Sequence, residues 1–546
     1  MSAEVGLLDP SDWADVSDGR RHRSGKLPEW LLAPLQADGV GKALRSHVPE
    51  LANGALVLRG CKIKRMLLKD TSGRWVGTYS LTIEGPDGKY PVALRGILTP
   101  PHLRPPQDAE VQAVEEPLAT LVPFAQDGWR IVLPELGLEL QPEPPETELA
   151  AMPRLTSPGE SRLLLEQGLR AGSPERADLR LHACVPEVIS YKPGSRCTLR
   201  YHLTYPPELA GRGWPTSVIA KTYRKDSKGR NAYEGMLALW GTPLAGGAIV
   251  SLAEPLAYIP ALKLMVQAPL AGDLSLEDML KSALSADTQP AIEQLSTYVR
   301  KAAAGLAAFH QSGVRHGETV TLQQRFADIH ELIARLSVPV PEIATSVEPL
   351  LAHLEELAAA EPADAAVPTH GTFNPEQVLI DGERIGFIDF DDFCMAEPAL
   401  DVALFRAAIK DIGMNALDES MSRQREIRLA RLARLDAICE VFLAEYERLA
   451  PISRRRVALW ETWSYLRDTL HFWIKVKPAE PDNGLMMLES QLRDMGLYQK
   501  PEQADTIQKP RKVLPSFRYL ALTSTLVASA WLDGLAELID KVITML

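Results

Sequence analysis

The sequence predicts an α+β chain in which β-rich segments come first and a mainly helical segment follows. Three observations lead there. Residues from about 55 to 100 and from about 179 to 270 alternate apolar and polar positions, the pattern of half-buried strands. From about residue 275 onward, apolar residues recur at three- and four-residue steps, the pattern of amphipathic helices. Proline clusters at Thr99-Pro100-Pro101, Pro105-Pro106 and Gln141-Pro142-Glu143-Pro144-Pro145 mark joints, because proline blocks helix continuation and restricts the residue before it.

Composition agrees with a packed globular chain. Of 546 residues, 46% are hydrophobic and 24% charged, which excludes disordered, collagen-like and coiled-coil classes. At roughly 150 residues per domain the length predicts three or four domains. The net charge of −12 lacks the basic footprint of a duplex nucleic-acid binder, so no nucleic-acid partner is expected. The five cysteines, Cys61, Cys184, Cys197, Cys394 and Cys439, are scattered and form no C-x-x-C. Neither a disulfide framework nor a zinc site follows, and a cytoplasmic location is expected. Met1 to Asp18 is acidic with no apolar run, so no signal peptide is visible. The most apolar stretch, Tyr519 to Leu532, is shorter than the roughly 18 residues a membrane span needs and reads as a core helix. No membrane partner is expected.

Taken in order, Val76 to Ile83 alternates as a strand and Cys197 to Leu203 does the same. Ser157-Pro158 starts a helix. Ile292, Leu295, Val299, Ala302, Leu306 and Phe309 form one helix face, and so do Trp460, Trp463, Leu466, Leu470 and Trp473. Both stripes read as core. An internal repeat is visible as well. Leu56 to Cys61 precedes Lys69, Gly73-Arg74 and Tyr79 to Thr82; Leu179 to Cys184 precedes Lys192, Gly194, Arg196 and Tyr201 to Thr204. Each copy then offers a further strand, Pro91 to Arg95 and Ser217 to Lys221. Two readings stand, convergence of two hairpins or duplication, and the shared order of several features favours duplication. In the first copy Arg95 lies near the position of Lys221.

The chemistry concentrates in Thr369-His370-Gly371-Thr372-Phe373-Asn374-Pro375-Glu376-Gln377 and in Ile388-Asp389-Phe390-Asp391-Asp392, followed by Glu397-Pro398 and Asp401. Between the first two, Val378-Leu379-Ile380 and Ile385 to Ile388 flank an Asp381-Gly382 turn and read as a β-hairpin. Two polar loops meeting beside a short hairpin suit a metal or phosphate site.

These segments resemble the aminoglycoside phosphotransferase family of the kinase-like superfamily, whose catalytic loop reads H-G-D-x-x-x-x-N and whose metal loop reads I-D-[WF]-x-D. The resemblance covers about residues 155 to 500. It implies a protein-kinase-like bilobal fold, with a β-rich N-lobe and a helical C-lobe. It also implies ATP and Mg²⁺ as cofactors and a small-molecule hydroxyl as acceptor. By that resemblance His370, Thr372 and Asp389 occupy catalytic positions, and Asp389 and Gln377 hold the metal. Lys221, at the end of Val218-Ile219-Ala220-Lys221, grips the nucleotide phosphates and pairs with Glu234 on the next helix. The backbone of Val266 to Ala268 meets the base, and the turn holding Ser195 faces the phosphates. No Walker A motif exists, since Gly39-Val40-Gly41-Lys42 lacks the first glycine. His316-Gly317, with no metal loop close behind it, is a decoy.

Two family positions are changed. The catalytic Asp is Thr372 and the metal-binding Asn is Gln377. Gln keeps a carbonyl oxygen, but Thr cannot act as a base near neutral pH. Two functions therefore stand: an active phosphotransferase, or a pseudo-phosphotransferase that binds nucleotide as a scaffold or sensor. The expected organisation is an N-terminal β-rich domain over 1–150, a degenerate N-lobe copy without a site of its own. An N-lobe over 151–268, a helical C-lobe over 269–500 and a helical extension over 501–546 follow.

Overall fold

Alternation becomes strand where the sequence places it. Along Trp75–Gly85 the buried side chains are Trp75, Tyr79, Leu81 and Ile83, and their neighbours face outward. The computed structural model describes residues 27–104, 130–143, 147–209, 211–418, 421, 424–476 and 483–497. The expected extension over 501–546, the apolar stretch at 519–532 and the acidic start at 1–18 lie outside the described residues. Among those described, no helix is long and apolar enough to cross a membrane. All five cysteines are free thiols.

The chain divides into two compact units. The first draws on Met1–Pro144, Phe326–Leu357 and Tyr465–Leu546; the second on Pro145–Arg325 and Ala358–Ser464. In the first unit, strands β1 (Val57–Leu68), β2 (Trp75–Gly85), β3 (Gly88–Leu98), β4 (Ile131–Leu133) and β5 (Leu138–Pro142) form an antiparallel sheet. Their order is β1-β2-β3-β5-β4, and a two-residue strand, Lys475–Val476, adds to the outer edge of β1. The buried Trp75 donates its indole N–H to the Trp473 carbonyl at 2.8 Å.

The second unit opens with helix Pro158–Gly172 and a sheet built from β6 (Ala183–Lys192), β7 (Arg196–Thr204), β8 (Ser217–Tyr223), β10 (Pro255–Ile259) and β11 (Leu264–Gln267). The order is β6-β7-β8-β11-β10, all antiparallel. One face carries Cys197, Leu199, Tyr201, Val218, Ala220, Leu264 and Val266 into a core with Leu165 and Leu169 of the helix. The opposite face presents Arg196 and Thr198 of β7 beside Tyr223 and Lys221 of β8, paired in register. Two short sheets follow, the first ordered β12 (Leu274–Ser275), β15 (Val378–Asp381), β16 (Arg384–Phe387) and β9 (Ser251–Leu252). The second is ordered β13 (Thr319–Val320), β17 (Cys394–Ala396) and β14 (Val367–Thr369). Helix Gln289–His310 packs against them and Arg425–Leu449 packs on that helix and on Ala399–Asn415; of the expected stripe Leu295, Val299, Ala302, Leu306 and Phe309 are buried and Ile292 is half-buried.

The two larger sheets share strand order, and the likeness reaches single residues. Cys61 pairs with Leu81 as Cys184 pairs with Leu203. Buried Tyr79 donates its hydroxyl to the Pro34 carbonyl at 2.9 Å, and buried Tyr201 donates to the Leu155 carbonyl at 2.9 Å. The last two strands of each sheet are joined by one 3₁₀ turn, Pro134–Leu136 or Pro260–Leu262. Each turn ends in a left-handed residue, Gly137 at φ 60° and Lys263 at φ 48°. Register also corrects one expectation. Tyr79 pairs with Leu94 and Tyr201 with Val218, so the counterpart of Lys221 is Ile97, not Arg95. Counting along the chain from the strand starts misplaced it by two residues, which keeps the same face of the strand. The hairpin after the His370 loop also turns one residue later than expected: Asp381 and Arg384 still pair, leaving Gly382-Glu383 as the turn.

Candidate functional site

The loop His370 to Gln377 is held from beneath by one carboxylate. Asp401, fully buried on helix Ala399–Asn415, accepts the His370 amide at 2.6 Å and the Gly371 amide at 2.8 Å. It also lies 3.1 Å from Nε2 of His310, whose Nδ1 meets the Tyr446 hydroxyl at 2.7 Å. Only glycine fits at 371: its φ is 82°, and a Cβ there would stand 2.2 Å from the Asp392 carbonyl oxygen. His370 is itself fully buried; its Nε2–H donates to the Ile388 carbonyl at 2.9 Å, and its ring packs against Phe373 and Phe390. Its Nδ1 has no hydrogen-bond partner among the described residues. His370 thus fastens the loop to the strand that leads to Asp389.

Thr372 is half-buried, and its hydroxyl lies 3.5 Å from the Gln377 amide nitrogen. Gln377 closes a capping box with Asn374: its Oε1 accepts the Asn374 amide at 3.1 Å, and Asn374 accepts the Glu376 amide at 2.9 Å.

Above the loop, two cations meet two carboxylates. Lys221, only 9% exposed, donates to Asp389 and to Asp391, the latter at 3.2 Å. Arg196 forms an ion pair with Asp391 and reaches Asp389 at 3.5 Å. Tyr223 donates its hydroxyl to Asp391 at 2.7 Å. Asp391 is therefore a buried hub for three donors, all from one face of β7 and β8. Burial pushes the Asp389 carboxyl up, but the charges of Lys221 and Arg196 outweigh it and hold the group well below the ordinary carboxylate range. Arg196 shifts upward: burial disfavours its charge, and Asp389 and Asp391 more than offset that. Burial and the neighbouring Asp391 charge raise the Tyr223 phenol well above its usual value, so it stays a donor. Asp389 takes a left-handed backbone, φ 70° and ψ 50°, a conformation that costs a non-glycine residue about 1–2 kcal/mol. Such strain is held where surrounding contacts over-determine it, as Lys221 and Arg196 do here.

Other expected residues lie elsewhere. Glu234 is exposed on helix Asp226–Trp240 and does not pair with Lys221; Asp391 takes that partnership. The helix turns Gly235 and Met236 inward instead, and a Cβ on Gly235 would lie 3.0 Å from the Phe393 ring. Val266 sits in a strand paired on both sides, and the Ala268 amide donates to the Glu254 carbonyl at 2.9 Å. Val266 is thus inside the sheet, and the Ala268 amide is already bonded just beyond its end. Ser195 is exposed, and its amide closes the hairpin turn onto the Lys192 carbonyl at 3.0 Å. His316 donates to the Asn231 carbonyl at 3.0 Å, a structural contact. Arg196, Tyr223 and the hub role of Asp391 are site features that sequence reasoning missed. The available signal was the two-residue spacing of Lys221 and Tyr223, which puts both on one strand face.

The donor set suits a hard divalent cation. Among the described residues no group of three or more His, Cys, Asp or Glu is placed to hold a metal. Magnesium, however, is commonly bound by one or two carboxylates with phosphate oxygens completing its shell. Asp389 supplies a partly exposed carboxylate. The Gln377 carbonyl, which bonds the Ile388 amide at 3.1 Å, places that residue at the same end of the β15–β16 hairpin.

No curated protein matches the chain. Among solved structures it is similar to a choline/ethanolamine kinase family protein from Mesorhizobium loti, at 15% identity and TM-score 0.38, over 69% of this chain and 99% of that one. It is similar to choline kinase LicA from Streptococcus pneumoniae, at 13% identity and TM-score 0.37, over 60% of this chain and 97% of that one. It is also similar to a glucosamine kinase in complex with glucosamine, ADP and inorganic phosphate, at 14% identity and TM-score 0.40, over 83% and 98%. Residues 248–455, which hold the His370 loop, Asp389, Asp391 and Asp401, match the model of the phosphotransferase enzyme family.

Proposed function

We propose that this chain binds a magnesium-nucleotide and transfers its terminal phosphoryl group to the hydroxyl of a small molecule. The observation that carries the reading is the meeting of Lys221 with Asp389, where the His370 loop adjoins the β15–β16 hairpin. Phosphoryl transfer asks a protein mostly for positioning and charge stabilisation. Lys221 supplies a cation for the phosphates, and Asp391 fixes its direction. Asp389 and the Gln377 side-chain oxygen, which can accept a second partner beside the Asn374 amide, would hold magnesium, which when bound offsets phosphate charge. Asp401 and His370 hold the loop so that Thr372 keeps a fixed place. Thr372 can orient an acceptor hydroxyl by hydrogen bonding but cannot take its proton. A general base contributes about 10²–10⁴ in rate, so this chemistry runs slower than with a carboxylate.

One observation favours a second reading, a nucleotide-binding protein without transfer. The side chain bonded to Thr372 is the Gln377 amide rather than a carboxylate. The two readings separate in one assay: turnover of ATP or GTP, with and without magnesium, across sugars, aminoglycosides and amino alcohols. Metal-dependent turnover stimulated by one acceptor class supports transfer. Nucleotide binding with no turnover supports the second reading, and absence of nucleotide binding rejects both.

A further inference from the structure

The β6–β7 turn is poorly made for gripping phosphate. It carries one glycine, Gly194, and the Ser195 amide is committed to closing the turn. A backbone cradle needs several free N–H groups aimed at the anion. The chain instead places a guanidinium one residue further on. Arg196 begins β7 on the same sheet face as Lys221 and Tyr223. Its side chain is about one-quarter exposed, and it reaches both Asp391 and Asp389.

We propose that Arg196 is a polyphosphate-binding residue that does the work of a glycine-rich loop, with Asp391 holding it in place when no nucleotide is bound. This rests on the nucleotide-binding reading above and names a residue that reading does not require. Two arguments support it. Arg196 and Lys221 are balanced one-for-one by Asp391 and Asp389, so engagement of Asp389 by a metal leaves positive charge for an anion. The planar guanidinium also offers five N–H donors, enough to keep Asp391 while bonding phosphate oxygens in a bidentate manner. Lysine offers a point charge without that fork.

The test is a titration of the full chain with adenosine, ADP and ATP in magnesium. It compares wild type, Arg196→Ala, Arg196→Gln, Arg196→Lys and the exposed strand control Arg200→Ala. Circular dichroism and melting temperature establish folding, and Arg196→Gln retains a hydrogen bond to Asp391 if truncation to alanine unfolds the site. The expected result is at least a tenfold loss of ATP and ADP affinity in the uncharged variants, with adenosine affinity unchanged. Arg196→Lys should recover part of the loss, and Arg200→Ala should match wild type. Equal ATP affinity in folded Arg196 variants overturns the inference while leaving the nucleotide site standing. Parallel loss for adenosine and ATP also overturns it, because a general distortion of the site weakens both. If wild type binds none of the three, the nucleotide reading fails and takes this inference with it.

Discussion

Asp401 shows how one side chain fixes a loop that the sequence only outlines. Its buried carboxylate accepts two consecutive backbone amides and faces His310. Asp401→Ala strands those donors, at about 1–3 kcal/mol for each buried group left unpaired. The melting temperature should therefore fall by several degrees, and turnover should fall with it; an unchanged melt would show that the carboxylate is not the anchor. Thr372 is the opposite case, a residue whose importance is visible in sequence as a departure from pattern. Thr372→Asp restores a group able to accept a proton, and turnover should rise by as much as about 10²–10⁴. A fall or no change would assign Thr372 a role of its own. His370, Asp389 and Lys221 could be singled out because their spacing matches a recognisable order, and the structure brings Lys221 to Asp389. Arg196 and Tyr223 were not, because the sequence does not state how far Asp391 lies from β7 and β8. Glu234 was misjudged for a related reason: helical register alone does not say which face turns to the sheet.

At the scale of elements, strand alternation located β2, β7 and β8, and the repeated Cys and Tyr positions located the equivalence of two sheets. The sequence pattern did not reveal the shared 3₁₀ turns, since Pro134 to Gly137 and Pro260 to Lys263 differ in their left-handed residue. It misaligned Ile97 because β3 starts well before the residue that pairs with Tyr79, whereas β8 starts just before the residue that pairs with Tyr201. If the two sheets are built alike, the matching tyrosines should matter alike. Tyr79→Phe and Tyr201→Phe each remove a buried hydroxyl-to-carbonyl hydrogen bond, a loss of about 1–3 kcal/mol apiece, with a weak contact to the Met66 sulfur lost as well at Tyr79. Denaturant unfolding of both variants should show similar losses. A loss confined to one of them would mean that the equivalence is one of outline only.

For the molecule as a whole, length announced several domains, and the α+β class was readable from where alternation gives way to helical spacing. The sequence did not show that Phe326–Leu357 and the residues from Tyr465 onward join the first unit, because helical periodicity shows that a face is buried but not in which core. Among the described residues only the second unit carries the charged cluster, since Ile97 stands in the first sheet where Lys221 stands in the second. Calorimetry should accordingly find one nucleotide per chain. Two equivalent sites would contradict the assignment of the first sheet as a copy without its own site. The central claim is that the cluster around Asp389 is where nucleotide and metal act. The most direct measurement is magnesium-dependent nucleotide binding and turnover by wild type beside Asp389→Ala, with folding checked by thermal melt. The folded variant should lose magnesium-dependent binding and turnover by tenfold or more. Wild-type behaviour in Asp389→Ala would contradict it.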